Sequence, residues 1–130
     1  MATPIRILLV EDLPDDAFFV ERALTSSGIH AALTVVTDEA PFRAALSGLR
    51  PQLILTDHKL PRFSSWRVLE IARAVAPDVP VVIVSGTLRE EEEADGLKRG
   101  AVAVVRKSDL KSLPGVVRVL LGAAGRCAGR

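Results

Sequence analysis

The stretch Ile5-Arg6-Ile7-Leu8-Leu9-Val10-Glu11-Asp12 decides how the chain is read, and Leu53-Ile54-Leu55-Thr56-Asp57 repeats its form. Each is a short apolar run, rich in branched residues, that ends on acid. Such runs suit strands buried on both faces of a parallel sheet. Charges at the carboxyl ends of these strands sit where open α/β sheets bind ligands. Glu11, Asp12 and Asp57 would repel one another there. A hard divalent cation, most naturally Mg²⁺, offsets that repulsion through oxygen ligands while keeping several of its waters. Any one of the acids alone is better explained as a loop or helix-start residue.

Two further strand ends join the group. Ser85 closes the run Val81-Val82-Ile83-Val84, and Lys107 follows Val102-Ala103-Val104-Val105-Arg106. Separately, the first would be a turn residue and the second a lysine snorkelling to water. Together the five place carboxylates, a hydroxyl and an ammonium on one sheet edge. Phosphoryl transfer to a carboxylate needs this set. Metal and lysine neutralise the phosphoryl oxygens, the hydroxyl donates to one of them, and a carboxylate oxygen attacks.

Over essentially its whole length the chain resembles the receiver domain of two-component response regulators. The matching segments are ILLVED (Ile7–Asp12), LILTDHKLP (Leu53–Pro61), VVIVSGT (Val81–Thr87) and RGAVAVVRKS (Arg99–Ser108). The resemblance implies that Asp57 is the phosphoacceptor and that Asp12 and Asp57 ligate Mg²⁺ directly. Glu11 would act through a metal-bound water, and the backbone carbonyl of Lys59 would complete the protein ligands. Ser85 would contact the phosphoryl group and Lys107 would pair with it, while Lys59 and Thr87 would flank the path of the attacking water. A histidine kinase or phosphotransfer protein would be the donor. The domain would be no enzyme in the ordinary sense, catalysing only its own phosphorylation and dephosphorylation. A degenerate receiver, acting solely as a protein-interaction module, is the alternative.

Bulk properties agree. With 130 residues, 48% apolar and 25% charged, the chain suits one globular domain with one core. A net charge of +1 gives no electrostatic case for nucleic acid or anionic membrane. The five aromatics include no Tyr, which disfavours a base-stacking platform. The single cysteine, Cys127, rules out an internal disulfide and fits a reducing bacterial cytoplasm. No apolar stretch approaches the roughly 20 residues a bilayer span requires, and no signal peptide is legible. A flavodoxin-like cofactor site fails at Glu11-Asp12-Leu13-Pro14, which offers acid where an anion needs donors. A dehalogenase-type phosphatase needs a second acid two residues past its nucleophile, where Lys59 stands.

Apolar runs alternate with helical periodicity, the pattern of a doubly wound α/β fold. Helices are expected over 15–27 with Phe19, Val20, Ala23 and Leu24 inward, and after Asp38 with Phe42, Ala45, Leu46 and Leu49 inward. A third starts at Ser64 or Ser65 with Leu69, Ala72, Val75 and Ala76 inward. A fourth opens at Arg89, where Glu90–Glu93 reads as a solvated face favoured by the helix dipole and Gly96 as a weak point. A last one runs from about Leu113. The resemblance implies a flavodoxin-like (βα)5 sandwich with strand order 2-1-3-4-5, residues 1–125 forming the receiver and 126–130 a C-terminal tail.

Departures from the usual receiver pattern concern signalling positions. Val104 replaces a ring that could swing, and Ser108 replaces the proline of a cis peptide, so the loop carrying Lys107 is expected to be trans or strained. Ser64 and Ser65 stand where a glycine is usual. His58 follows Asp57 where an apolar residue is usual, and strand alternation turns it away from Asp57 towards a structural role. The Ser-Gly-Thr and Arg-Lys-Ser segments resemble those of receivers attached to or partnered with sensor kinases rather than DNA-binding regulators. Val116, Val117, Val119, Leu120 and Leu121 exceed what one buried helix face needs. Any exposed excess would offer a face for a symmetric dimer or a kinase contact.

Overall fold

A computed structural model describes the backbone of residues 3–128 and the side-chain surroundings of residues 3–122. Strands and helices alternate: β1 (Ile5–Val10), α1 (Pro14–Ser26), β2 (Ala31–Val36), α2 (Glu39–Leu49), β3 (Leu53–Thr56), α3 (Ser65–Val75), β4 (Val81–Ser85), α4 (Glu90–Lys98), β5 (Ala103–Arg106) and α5 (Leu113–Ala128). The five strands pair in parallel in the order β2-β1-β3-β4-β5. That is the doubly wound order expected. Cys127 and the 126–130 tail lie outside the residues whose side chains are described.

Alternation along each strand divides the core. Ile7, Leu9, Leu53, Leu55, Val82, Val84 and Val105 pack with Val20 and Leu24 of α1 and with Leu113, Val117 and Leu121 of α5. Leu8, Val10, Ile54, Val81 and Ile83 pack on the other face with Phe42 and Leu46 of α2 and Val68, Leu69 and Ile71 of α3. Both faces are covered, so continuous apolar runs are the stable strand sequence. The same alternation continues past the strand ends and decides where the polar residues go. Glu11, Asp57 and Lys107 continue the α1/α5 side, and His58 continues the α2/α3 side.

The helices depart from the expected faces in instructive places. Phe19 is half exposed beside Phe18, and the two rings meet edge-on with centroids 5.8 Å apart. Ala17 is buried in Phe19's stead, and the inward stripe is Ala17, Val20 and Leu24. Leu49 and Val75 lie at helix ends and are also partly exposed. Asp38 precedes α2 but makes no side-chain cap bond; its carboxylate faces Arg62 at 3.6 Å instead. Ser64 does cap α3, accepting from Arg67 N at 3.2 Å. Gly28 ends α1 at φ 81°, a left-handed conformation that glycine adopts without steric cost.

Gly96 has a packing reason. A Cβ there would stand 2.7 Å from Ile83 Cδ1 and 3.5 Å from Trp66, so α4 approaches the sheet closely only because the side chain is missing. On α5 the apolar excess is mostly absorbed. Val117 and Leu121 are buried, Val116 and Leu120 half-buried, and Val119 stands out at 83% exposure. No helix among the described residues is long and apolar enough to cross a membrane.

Candidate functional site

The register of the sheet assembles the acids. Val10 pairs with Thr56 between β1 and β3, and Asp57 N donates to Val10 O at 3.0 Å. Glu11, Asp12 and Asp57 therefore leave neighbouring strands at one level, and one oxygen from each lies within 4.8 Å of the others. Glu11 and Asp57 are buried at 2% and 7% exposure, whereas Asp12 is partly open. Two dry carboxylates beside a third are costly unless positive charge is shared among them.

Lys107 supplies that charge. It opens a short 3₁₀ stretch, Lys107–Ser112, directly after β5. Its Nζ donates to Asp57 Oδ2 at 3.0 Å and to Asp16 Oδ2 at 2.6 Å, and lies 2.9 Å from Glu11 Oε1. Burial alone would lower the lysine pKa, but hydrogen bonds to Asp16, Glu11 and Asp57 raise it well above its ordinary value. Glu11 titrates above the usual carboxylate range. Its burial outweighs the bond from Lys107, and the Asp57 charge pushes the same way.

Ser85, at 1% exposure, ends β4 beside β3, and its Oγ accepts from Thr87 N at 3.4 Å. Lys59 and Thr87 are exposed in the loops after β3 and β4. Val104 is half-buried in β5. The Lys107–Ser108 peptide is trans, as no cis bond occurs among the described residues.

Two features went unread in the sequence. Asp16 looked like a helix-start acid suited to the positive end of α1. It also stands in the first turn of the helix that starts two residues after Asp12, and that spacing folds its carboxylate back over the sheet edge. The second is the pair of partners that His58 finds. Its Nδ1 lies 2.7 Å from Ser65 Oγ and its Nε2 lies 3.2 Å from Glu92 Oε2, with the ring 4.8 Å from that of Trp66. A carboxylate only accepts, so Nε2 carries the proton that it donates to Glu92. Glu92 is thus more than part of a solvated face, and Glu93 likewise pairs with Arg106 at 3.1 Å. The side chain of His58 points to the helices, away from that of Asp57, as strand alternation requires.

The donor chemistry of the site suits a hard cation. Glu11, Asp12 and Asp57 offer only oxygen, converge within one coordination shell, and leave Asp12 without a cationic partner among the described contacts.

Comparison with known proteins points the same way. The model of the response regulator receiver domain matches residues 7–118. The transcriptional regulatory protein PrrA of Mycobacterium tuberculosis is 33% identical over 127 residues, covering 97% of this chain and 54% of its own. The chain thus spans about half the length of that relative, whose name is that of a transcriptional regulator rather than of the kinase-linked class suggested by Ser-Gly-Thr and Arg-Lys-Ser. A signal receiver domain of a LuxO repressor protein from Vibrio parahaemolyticus superposes with a TM-score of 0.82 at 23% identity, over 94% of this chain and 93% of that one. The Mn²⁺-bound form of response regulator Rcp1 superposes with a TM-score of 0.69 at 25% identity, over 88% and 93%. A five-stranded 2-1-3-4-5 sheet with its acids at the β1 and β3 ends, matched by the family model over most of its length, belongs to a bacterial-type two-component signalling protein: the chain is a member of the response regulator receiver domain family.

Proposed function

We propose that Asp57 is the phosphoacceptor of this receiver and that it takes its phosphoryl group from a histidine kinase or phosphotransfer protein in a Mg²⁺-dependent reaction. The observation that carries the reading is the shared ammonium. Lys107 bonds Asp57 while Glu11 and Asp12 stand alongside to hold a cation, and a dianionic phosphoryl group needs both positive charges at its acceptor.

Asp12 and Asp57 would hold the cation directly, Glu11 through a bound water, and the Lys59 carbonyl would complete the set. When bound, the cation neutralises phosphoryl oxygens alongside the lysine. A carboxylate oxygen of Asp57 attacks phosphorus, forming an O–P bond. The P–N bond of a phosphohistidine donor breaks, and its electron pair leaves with the imidazole, which takes up a proton from solvent. Lys107 keeps one N–H on the product, and Ser85 donates its hydroxyl to a phosphoryl oxygen. Water later attacks the same phosphorus past Lys59 and Thr87, returning the Asp57 carboxylate and releasing phosphate. Asp57, Ser85 and Lys107 are thus the catalytic set, and the protein catalyses nothing beyond its own modification.

Intact-mass measurement after acetyl phosphate treatment should show one phosphoryl adduct. The adduct should disappear in Asp57→Asn and when a chelator removes divalent metal. An adduct that survives Asp57→Asn overturns the assignment, and complete refractoriness of the wild type favours the interaction-module alternative. Output passes through surface contacts in a cytoplasmic setting, with residues 1–125 as the receiver unit and 126–130 as a tail. The net charge of +1 argues against direct nucleic-acid or membrane binding by this domain. Val119, exposed on α5, is the centre of the proposed homodimer contact.

A further inference from the structure

We infer that Asp16 is a positioning residue of the phosphoacceptor site: its carboxylate fixes the Lys107 ammonium so that the remaining N–H groups reach Asp57 and Glu11. The role presupposes that Asp57 accepts a phosphoryl group. An ammonium has three N–H donors, and here three carboxylates surround it, at 2.6 Å (Asp16), 2.9 Å (Glu11) and 3.0 Å (Asp57). The shortest of the three contacts goes to the acid furthest from the reaction.

The three differ in freedom. Glu11 and Asp57 are anchored at buried strand ends, whereas Asp16 sits on the first turn of α1 with its side chain 28% exposed. Lys107 reaches them from the end of the edge strand β5 on a four-carbon stem with many rotamers. Three anchors in different directions define the position of its nitrogen, and two leave it free to swing about the line joining them. On phosphorylation one N–H must turn to a phosphoryl oxygen. Asp16 is the partner that can keep its bond during that exchange, because it ligates no metal and receives no phosphate. A merely exposed ion pair would contribute little. This one is joined to two buried carboxylates through a lysine side chain that is itself only 18% exposed.

Phosphorylation by acetyl phosphate, followed by intact mass, should run about tenfold slower in Asp16→Asn, the size of one lost charge-assisted hydrogen bond. Asp16→Glu should recover most of the rate. In a Lys107→Ala background, Asp16→Asn should cost nothing further, since the effect runs through the ammonium. The ¹⁵N resonance of the Lys107 ammonium, recorded without metal or phosphodonor, should shift in Asp16→Asn. An unmoved resonance refutes the contact, and an equal rate loss in both backgrounds refutes positioning through Lys107. If the resonance shifts but wild type accepts no phosphoryl group, the phosphoacceptor reading fails and Asp16 is reduced to a lysine anchor.

Discussion

His58 Nε2 lies 3.2 Å from Glu92 Oε2, so the residue that follows Asp57 is tied to the first turn of α4. The other ring nitrogen reaches Ser65, which is fully buried at the start of α3. One side chain therefore spans the β3 end and two helices. Trp66 packs against it with the ring planes tilted by 56°, and Arg99 covers Trp66 at 4.8 Å, within cation–π range. Since Val104 has no ring to swing, this chain of contacts is a structural link from the site to the α4 face.

His58→Ala removes both hydrogen bonds and leaves Ser65 without its partner. The expected cost is about 1–3 kcal/mol, read from denaturant melts. Amide exchange should quicken in α4 before it does in β1 or β3. Acetyl phosphate should still modify Asp57, and the adduct should decay at the wild-type rate. A clear slowing of decay would instead make His58 a general base for dephosphorylation.

Asp12→Ala should act in opposite directions on stability and on metal binding. Among the described ion pairs Lys107 joins Glu11 and Asp57 but not Asp12, so the Asp12 charge is the least compensated of the three. Its removal should raise the metal-free melting temperature and lower Mg²⁺ affinity. Thermal melts with and without millimolar Mg²⁺ test this. A variant that still gains stability from Mg²⁺ while wild type does not would show the cation site to be placed wrongly.

Acid should erase specific contacts in a defined window. The backbone N–H of Arg89, and after it the bond from His58, hold the Glu92 carboxyl at about 2, below its ordinary 4.5. Hydrogen bonds from Arg67 and then Arg43 hold Glu39 at about 2 as well. A depressed carboxyl stabilises the fold above its unfolded pKa and loses that contribution as pH falls through the folded value. Glu92→Gln and Glu39→Gln should therefore melt below wild type at neutral pH. The gap should close as pH drops from 4.5 towards 2. A gap that stays constant across that range would remove the titration argument.

Val119 offers a direct test of self-association. At 83% exposure it is the most exposed large apolar residue of the described chain. Wild type should show concentration-dependent dimers in sedimentation, strengthened by a phosphoryl mimic, and Val119→Glu should abolish them. A wild type that stays monomeric in both states leaves α5 to a different protein partner.

The buried runs, their alternation with helical periodicity, and the acids at the ends of β1 and β3 were legible in the sequence. Burial on both faces leaves strand residues little choice but to be apolar, so the exceptions at Glu11, Asp12, Asp57, Ser85 and Lys107 stand out. The same alternation rule placed His58 on the helix side of the sheet. Helix faces were less legible at their margins. Phe19, Leu49 and Val75 fit an apolar stripe by periodicity, yet Phe19 falls beside the buried face of α1 and the ends of α2 and α3 leave the other two partly in water. Only tertiary structure could show what Asp16, Glu92 and Gly96 do. Each reads locally as an ordinary helix residue: a first-turn acid, one glutamate among four, a helix-weakening glycine. Their partners, Lys107, His58 and Ile83, lie 91, 34 and 13 positions away, a separation over which local propensity and periodicity carry no information. The sequence by itself determined which residues had to be buried and which charges had to end the strands. The packing of α1 and α4 against the sheet decided which of the remaining charges would meet them.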